Sequence, residues 1–159
     1  MVPAQKGSVS RMPGPLALIE DGAAASERIV ALRGELDVGT TPALREWLSR
    51  ASEGGRKSLV VDLSHVDFMA VSGLYVLCDE QARMASHQAR LTVVCHSPRI
   101  LQLFEVCRLE GILHVVGHRA DVRADTGTWD PEDEARAERL TNWLERYTSG
   151  ASTPSAPSA

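Results

Sequence analysis

The sequence predicts an α/β fold, a single domain with a mixed, mostly parallel sheet and helices packed on it. Strand-like and helix-like segments alternate from about residue 27 onward, which is typical of layered folds with a parallel sheet. The segments SLVVDL (58–63) and LTVVC (91–95) are near-continuous apolar runs, as in strands buried on both faces. The two segments nearest the N-terminus are joined by a turn signal and predict an antiparallel strand pair.

The first elements follow a proline-rich start. Residues 1–15 carry three prolines and no periodicity, so we expect a disordered lead-in. An apolar run at 16–20, the pair Asp21-Gly22 and a second apolar run within 27–36 form the expected strand pair. Thr41 before Pro42 predicts a helix N-cap. This first helix has one apolar face and ends at two glycines: Leu44, Trp47, Leu48, Ala51, then Gly54 and Gly55.

The remaining elements repeat this alternation. Residues 66–71 are expected to form a loop after the strand 58–63, and Ser72-Gly73 to open a second helix that runs to about His87. Ser97-Pro98 predicts the start of a third helix, and 112–116 a final strand. We expect a domain over residues 16–117, a polar linker with a C-terminal amphipathic helix over 118–148, and a disordered tail over 149–159.

Composition limits the classes of function. The net charge is −4 and the pI about 5.7, which argues against nucleic acid as a partner. No stretch reaches the roughly 18 to 20 apolar residues of a membrane span, and the N-terminus lacks the apolar part of a signal peptide. The three cysteines form no close pair and lie in apolar runs, as core residues of a reduced compartment do. We therefore expect a cytoplasmic protein without a membrane partner.

Catalytic and metal-binding patterns are sparse. There is no G-x-G-x-x-G, no phosphate-binding loop with lysine, no G-x-S-x-G and no CxxC. A metal site could be imagined at Cys95, His96, Cys107 and His114, but core cysteines and histidines at element ends explain them better. The carboxylates Asp37, Asp62 and Asp67 could serve acid–base chemistry, yet no nucleophile accompanies them. Asp62 is better explained as a hydrogen-bonded strand residue and Asp67 as a turn residue, so we expect neither an enzyme nor a cofactor or metal.

Three sequence motifs follow one another along the chain. The first is GELD at 34–37 with Thr40 and Leu44. The second is VVDLSHVDFMAVSGLYVL at 60–77, and the third is CHSPRILQLFEVCRLEGIL at 95–113. In this order and at this spacing they resemble the STAS domain family (sulphate transporter and anti-sigma-factor antagonist), whose second and third motifs usually read DLSxVxFxDSSGLxxL and SPRVxxLLxLTGL. The likeness runs from about residue 16 to 117, so it covers nearly all of the expected ordered core.

This resemblance implies a protein-binding domain. Stand-alone bacterial members are antagonists that bind an anti-sigma factor with a serine-kinase fold and so release a sigma factor. The kinase phosphorylates a serine in the loop before the second helix, and a phosphatase reverses this. The resemblance places the partner surface at the loop 69–74 and at the GELD segment: Asp37, Thr40, Met69, Ala70, Val71, Ser72, Gly73, Leu74. A homodimer or other STAS proteins are further possible partners.

The loop departs from the family pattern Asp-Ser-Ser-Gly-Leu. Ala70 replaces the aspartate, and Val71 stands at the acceptor position, where it cannot be phosphorylated. Ser72 is either a displaced phosphoacceptor or the N-cap of the second helix, and the N-cap is favoured. Asp37 is either a partner contact or a helix-entry residue that bonds its own turn. The apolar stretch 69–71 either contacts a partner or packs under the second helix.

The sequence therefore predicts an anti-sigma-factor antagonist without the usual phosphoserine switch. The alternative is a non-phosphorylated STAS scaffold or oligomerisation module, and a small-ligand or enzymatic domain is a third hypothesis. An apolar stripe on the C-terminal helix either binds a partner or, as is more common, docks on the domain's own sheet: Leu140, Trp143, Leu144, Tyr147.

Overall fold

Four parallel strands, β3 to β6, form the sheet at the centre of the computed structural model, which describes residues 8–11, 17–20, 27–122 and 129–148. The strands are β1 (Ser8–Arg11), β2 (Ala17–Glu20), β3 (Glu27–Leu36), β4 (Ser58–Met69), β5 (Leu91–Val94) and β6 (His114–Val116). The helices are α1 (Thr41–Ala51), α2 (Val71–Ala85), α3 (Pro98–Val106) and α4 (Pro131–Thr148), with a short 3₁₀ helix at Arg119–Asp121. Strands β3, β4, β5 and β6 pair in that order. The predicted α/β fold with its parallel sheet is confirmed, whereas the N-terminal antiparallel pair stays a prediction.

Strand β4 is twice as long as expected. It continues to Met69, so the loop predicted over 66–71 is wrong, and Asp67 is an exposed strand residue rather than a turn residue. Its pairing with β5 ends where Asp62 meets Val94, while its pairing with β3 runs on to Met69 opposite Leu36. The register with β3 shifts twice, and such bulges locally redirect side chains.

One face of the sheet forms the main apolar core. Leu59, Val61 and Leu63 alternate along β4 and are fully buried in the same cluster as Leu32 and Leu91. Burial of one such side chain stabilises the fold by about 1.5–3 kcal/mol relative to exposure. The cysteines contribute as predicted, since Cys78 and Cys95 are buried in this cluster and Cys107 packs against it.

The helix starts test the predicted caps. Ser97 caps α3 as expected, because its hydroxyl accepts a 3.5 Å hydrogen bond from the N–H of Ile100. Helix α1 begins one residue early, so its N-cap is Thr40 and Thr41 lies inside the helix. At the C-terminal end of α1, Gly54 adopts a φ of 73°, and its N–H donates a hydrogen bond to the carbonyl of Ser49 at 2.8 Å.

Helix α4 docks on the domain's own core, as predicted, with α2 as its main neighbour. Leu140 and Trp143 are buried and Leu144 packs against the core, while the side chain of Tyr147 lies outside the described residues. The indole Nε1 of Trp143 donates to the Cys107 carbonyl at 2.8 Å, and its ring lies 5.5 Å from that of Tyr75. None of the described helices combines the length and apolar character needed to cross a bilayer.

The N-terminal end of α4 is held by an ion pair. Arg90, at the start of β5, contacts Asp133 through Nε at 3.1 Å and Nη2 at 2.6 Å. Burial by itself raises the pKa of Asp133, but hydrogen bonds from Arg90 and from a backbone N–H lower it below the usual value. Asp133, near the start of α4, pairs with Arg90, which follows the end of α2. Trp143, towards the end of α4, lies beside Tyr75, near the start of α2. Helix α4 therefore runs antiparallel to α2.

Candidate functional site

The candidate site lies where β3 and β4 end and α1 and α2 begin. The N–H of Ala70 donates to the carbonyl of Leu36 at 2.8 Å, which joins the ends of the two strands. The Thr41 hydroxyl donates to Ser72 Oγ at 3.3 Å, which joins the first turns of the two helices. The GELD segment and the loop predicted as the partner surface therefore lie side by side.

Asp37 organises the turn that leads into α1. Its Oδ1 accepts hydrogen bonds from the N–H groups of Gly39, at 2.9 Å, and Thr40, at 3.1 Å. The Thr40 hydroxyl accepts from the Asp37 N–H at 3.0 Å and donates to the Glu35 carbonyl at 3.2 Å. Thr40 is buried and Asp37 half-buried. Asp37 therefore has the helix-entry role that the sequence allowed, and a partner contact through Asp37 stays a prediction.

The predicted loop separates into supporting and accessible residues. Met69, Gly73 and Leu74 are buried, and the side chains of Met69 and Leu74 support the surface from the core, so a direct partner contact through these three residues stays a prediction. A Cβ atom at Gly73 would lie 3.2 Å from Leu36 Cβ, so glycine permits the close approach of α2 to β3. Val71, by contrast, is 40% exposed.

Ser72 is not the N-cap of α2, so that interpretation is wrong. The N-cap is Ala70, which has an extended backbone and no capping side chain. The extension of β4 to Met69 moves the helix start back to Val71, and Ser72 becomes the second helical residue. Its half-buried hydroxyl accepts the hydrogen bond from Thr41 instead.

Three exposed apolar side chains near this site were missed from the sequence. Val38 is 76% exposed in the turn after β3, Phe68 is 49% exposed near the end of β4, and Val106 is 61% exposed at the end of α3. The exposure of Val106 could have been predicted, because Val106 lies one position away from the apolar stripe of its helix. For Phe68, the β-bulge leaves it and Asp67 exposed consecutively, which no simple alternation reveals.

The other candidate chemical groups have structural roles. Asp62 accepts hydrogen bonds from the Ser64 hydroxyl and from Arg119 Nε, both at 2.6 Å. Burial alone raises the pKa of Asp62, but these bonds and the Arg119 charge lower it below the usual value. Burial also raises the pKa of the Cys78 and Cys95 thiols, which disfavours a reactive thiolate. In the described part of the chain, no three His, Cys, Asp or Glu side chains cluster as metal ligands would.

Comparison with known proteins identifies the class. The chain belongs to the STAS domain family, whose profile matches residues 18–122. It is similar to the anti-sigma-B factor antagonist of Staphylococcus aureus (strain NCTC 8325 / PS 47), with 33% identity over 86 residues, which cover 54% of this chain and 80% of that protein. The anti-sigma-B factor antagonist of Staphylococcus epidermidis is 31% identical over 86 residues, which again cover 54% of this chain and 80% of that protein.

Solved structures share the fold. An anti-sigma factor antagonist from Mycobacterium paratuberculosis superposes with a TM-score of 0.61 at 22% identity, covering 69% of this chain and 92% of that one. The anti-sigma factor antagonist SpoIIAA in its unphosphorylated form gives a TM-score of 0.53 at 16% identity, with 65% and 91% coverage. At these identities the likeness concerns the architecture alone.

Proposed function

We propose that this protein is an anti-sigma-factor antagonist: it binds an anti-sigma factor with a serine-kinase fold and thereby releases a sigma factor. It acts by stoichiometric binding and not as an enzyme, in the cytoplasm. Membership of the STAS family and similarity to proteins named anti-sigma-B factor antagonists support the class of function. The observation that carries the proposal is the exposed apolar side chain of Val71 at the first residue of α2, beside the GELD turn.

The surface has the character of a contact site. Val38 and Val71 are exposed on adjoining segments, and the half-buried Ala70 lies between Val71 and the buried Met69. Hydrogen bonds of the buried Thr40 fix the turn that carries Val38, so this part of the surface is preorganised. A protein partner that covers these apolar groups removes them from water, which favours association.

The same position explains the proposed absence of a phosphoserine switch. Val71 has no hydroxyl, and the Ser72 hydroxyl is half-buried and hydrogen-bonded to Thr41. A phosphate at position 71 would place about −1.5 to −2 charges on the contact surface, enough to oppose a desolvated contact. With valine there, the antagonist stays competent to bind, or it is controlled elsewhere. A displaced acceptor at Ser72 is the competing outcome.

Binding is tested by mixing the purified protein with purified kinase-fold anti-sigma factors from the same organism, with and without ATP or ADP, and measuring complexes by calorimetry. We expect one of them to form a complex that releases its sigma factor. Absence of a complex with all of them would contradict the proposal. A stable homo-oligomer by light scattering, without any such complex, would favour the scaffold or oligomerisation module instead.

The switch is tested by incubating this protein with the anti-sigma factor that binds it and with radiolabelled ATP. We expect no labelling of the wild type, and labelling of Val71→Ser, alone or together with Ala70→Asp. Ser72→Ala in the Val71→Ser background is the matched control and should leave labelling unchanged. Labelling of the wild type that disappears in Ser72→Ala would show that Ser72 is the acceptor and that the switch is present.

The proposal includes the N-terminal antiparallel pair. Strand β2 lies beside β3 with Leu18 opposite Leu32, which supports an antiparallel addition to the edge of the parallel sheet. Such an addition protects an otherwise open edge from pairing with other chains. Hydrogen exchange tests it, because amides along β3 should exchange faster in a variant that lacks residues 1–20.

A further inference from the structure

A groove lies between the end of β4 and one face of α3, next to the proposed contact surface. It has a volume of about 290 Å³. Its walls are mainly apolar, with one charge of each sign: Phe68, Ile100, Leu103, Val106, Asp67, Arg99. Phe68 and Val106 are two of the four large apolar side chains exposed in the described part of the chain.

The unequal lengths of the strands create this groove. Beyond Asp62, β4 continues for residues 63–69 without β5 on its side, because β5 ends at Val94. Helix α3 begins four residues after Val94 and borders the vacant position. The bulge near Asp67 leaves Phe68 accessible within the groove, instead of continuing the inward–outward alternation of the strand.

The charged residues of the groove are available for a partner. Asp67 and Arg99 are exposed, and neither forms an ion pair with another residue in the described ranges. Other surface arginines do, such as Arg45, whose Nη1 lies 2.8 Å from Asp79. An apolar floor with opposite charges at its margins matches a ligand that carries an apolar side chain between an acidic and a basic one.

We infer that this groove binds an amphipathic segment of the anti-sigma factor, with an apolar side chain seated between Phe68 and Val106. An acidic residue of that segment pairs with Arg99 and a basic one with Asp67. The groove adjoins the contact surface of the proposed function, because Phe68 and Met69 at the end of β4 line it and Ala70 and Val71 follow directly in the chain. The inference rests on that proposed function, and it adds α3 to the interface and specifies the chemistry of the partner's segment.

The test measures affinity by calorimetry, with the purified kinase-fold anti-sigma factor that binds the wild type. Phe68→Asp and Val106→Asp should each weaken binding at least tenfold, because each places a charge in an apolar contact. Arg99→Glu should weaken binding at low salt, with a smaller effect at 0.5 M salt, since exposed charges are screened. His87→Asp is the matched control: it adds an acid at an exposed position near the opposite end of α2 and should bind like the wild type.

The outcomes separate this inference from the proposed function. All variants should keep the wild-type thermal midpoint, because the substituted side chains are exposed. If Val71→Asp abolishes binding while Phe68→Asp and Val106→Asp bind like His87→Asp, the inference is overturned and the proposed function stands. If the groove variants change only the protein's own oligomeric state, the occupant is a second copy and the inference is also overturned. Failure of the wild type to bind any anti-sigma factor refutes the proposed function itself.

Discussion

Replacing Asp133 with alanine should lower the free energy of unfolding by about 4 kcal/mol. Asp133 is 6% exposed, and both of its oxygens accept hydrogen bonds from Arg90, whose side chain is 13% exposed. Loss of one partner of a buried ion pair costs about 3–5 kcal/mol, because the remaining charge loses its counter-charge. Asp133 also accepts from the Asp130 N–H at 3.0 Å, and loss of such a capping bond costs about 1 kcal/mol. The partial exposure of Arg90 places the sum at the lower end.

Urea unfolding followed by circular dichroism measures this change. A loss of this size is a large part of the total of about 5–15 kcal/mol expected for a domain. It should lower the melting temperature by roughly 10 °C. Glu132→Ala is the matched control on the same turn, because the Glu132 side chain is 61% exposed and its ion pairs with Arg136 and Arg139 should contribute at most about 1 kcal/mol.

A result for Asp133→Ala within the range of Glu132→Ala would refute the reasoning. Helix α4 would then be loosely held, and Leu140 and Trp143 would become available to a partner, which was the alternative open at the sequence level. The double variant Arg90→Leu with Asp133→Leu adds a second check. It should recover much of the stability, because the Arg90 guanidinium is removed together with its carboxylate, while Arg136, which also contacts Asp133 at 3.3 Å, keeps its pair with Glu132.

Three further predictions concern stability. Trp143→Ala should cost about 3–5 kcal/mol in urea unfolding, because a buried indole and its bond to Cys107 are lost. Ser52→Ala should cost about 1.5–3 kcal/mol in the same assay, because Ser52 Oγ donates to the buried Glu80 carboxylate at 2.7 Å. The pKa of Asp62 is lowered on folding, so its contribution is complete above the unfolded value near 3.8 and is lost as pH falls through the lower folded value. We therefore expect the urea midpoint, measured from pH 6 to pH 2, to decrease once the pH is below about 4. The decrease should be less steep in Asp62→Asn.

Local signals predicted most of the fold. The Ser-Pro pair at 97–98 marks a true helix start because a serine cap and a proline act through their own backbone neighbours. The apolar run at 58–63 also indicated a buried strand, because a strand that is covered on both faces has consecutive apolar residues. Such features depend on residues a few positions apart, so one sequence is enough to find them.

The site was harder to predict because it depends on neighbours that are distant in sequence. Residues 66–71 were expected to form a loop, yet β4 continues to Met69 because it stays paired with β3 after its pairing with β5 has ended. That extension removed Ser72 from the cap position and exposed Phe68. The burial of Thr40 likewise depends on the carbonyl of Glu35 and the packing of the turn, which no spacing rule contains.

The buried ion pair that holds α4 and the proposed binding surface lie at opposite ends of the sheet. Arg90 and Asp133 meet at the amino end of β5, whereas Ala70 and Val71 follow the carboxyl end of β4. Substitutions at 70 and 71 therefore carry little thermodynamic penalty for folding, and recognition can change freely over generations while the scaffold persists. The same separation makes the molecule a convenient frame for protein engineering, in which residues 67, 68, 70 and 71 are randomised, the buried Met69 is kept, and the partner is chosen by selection.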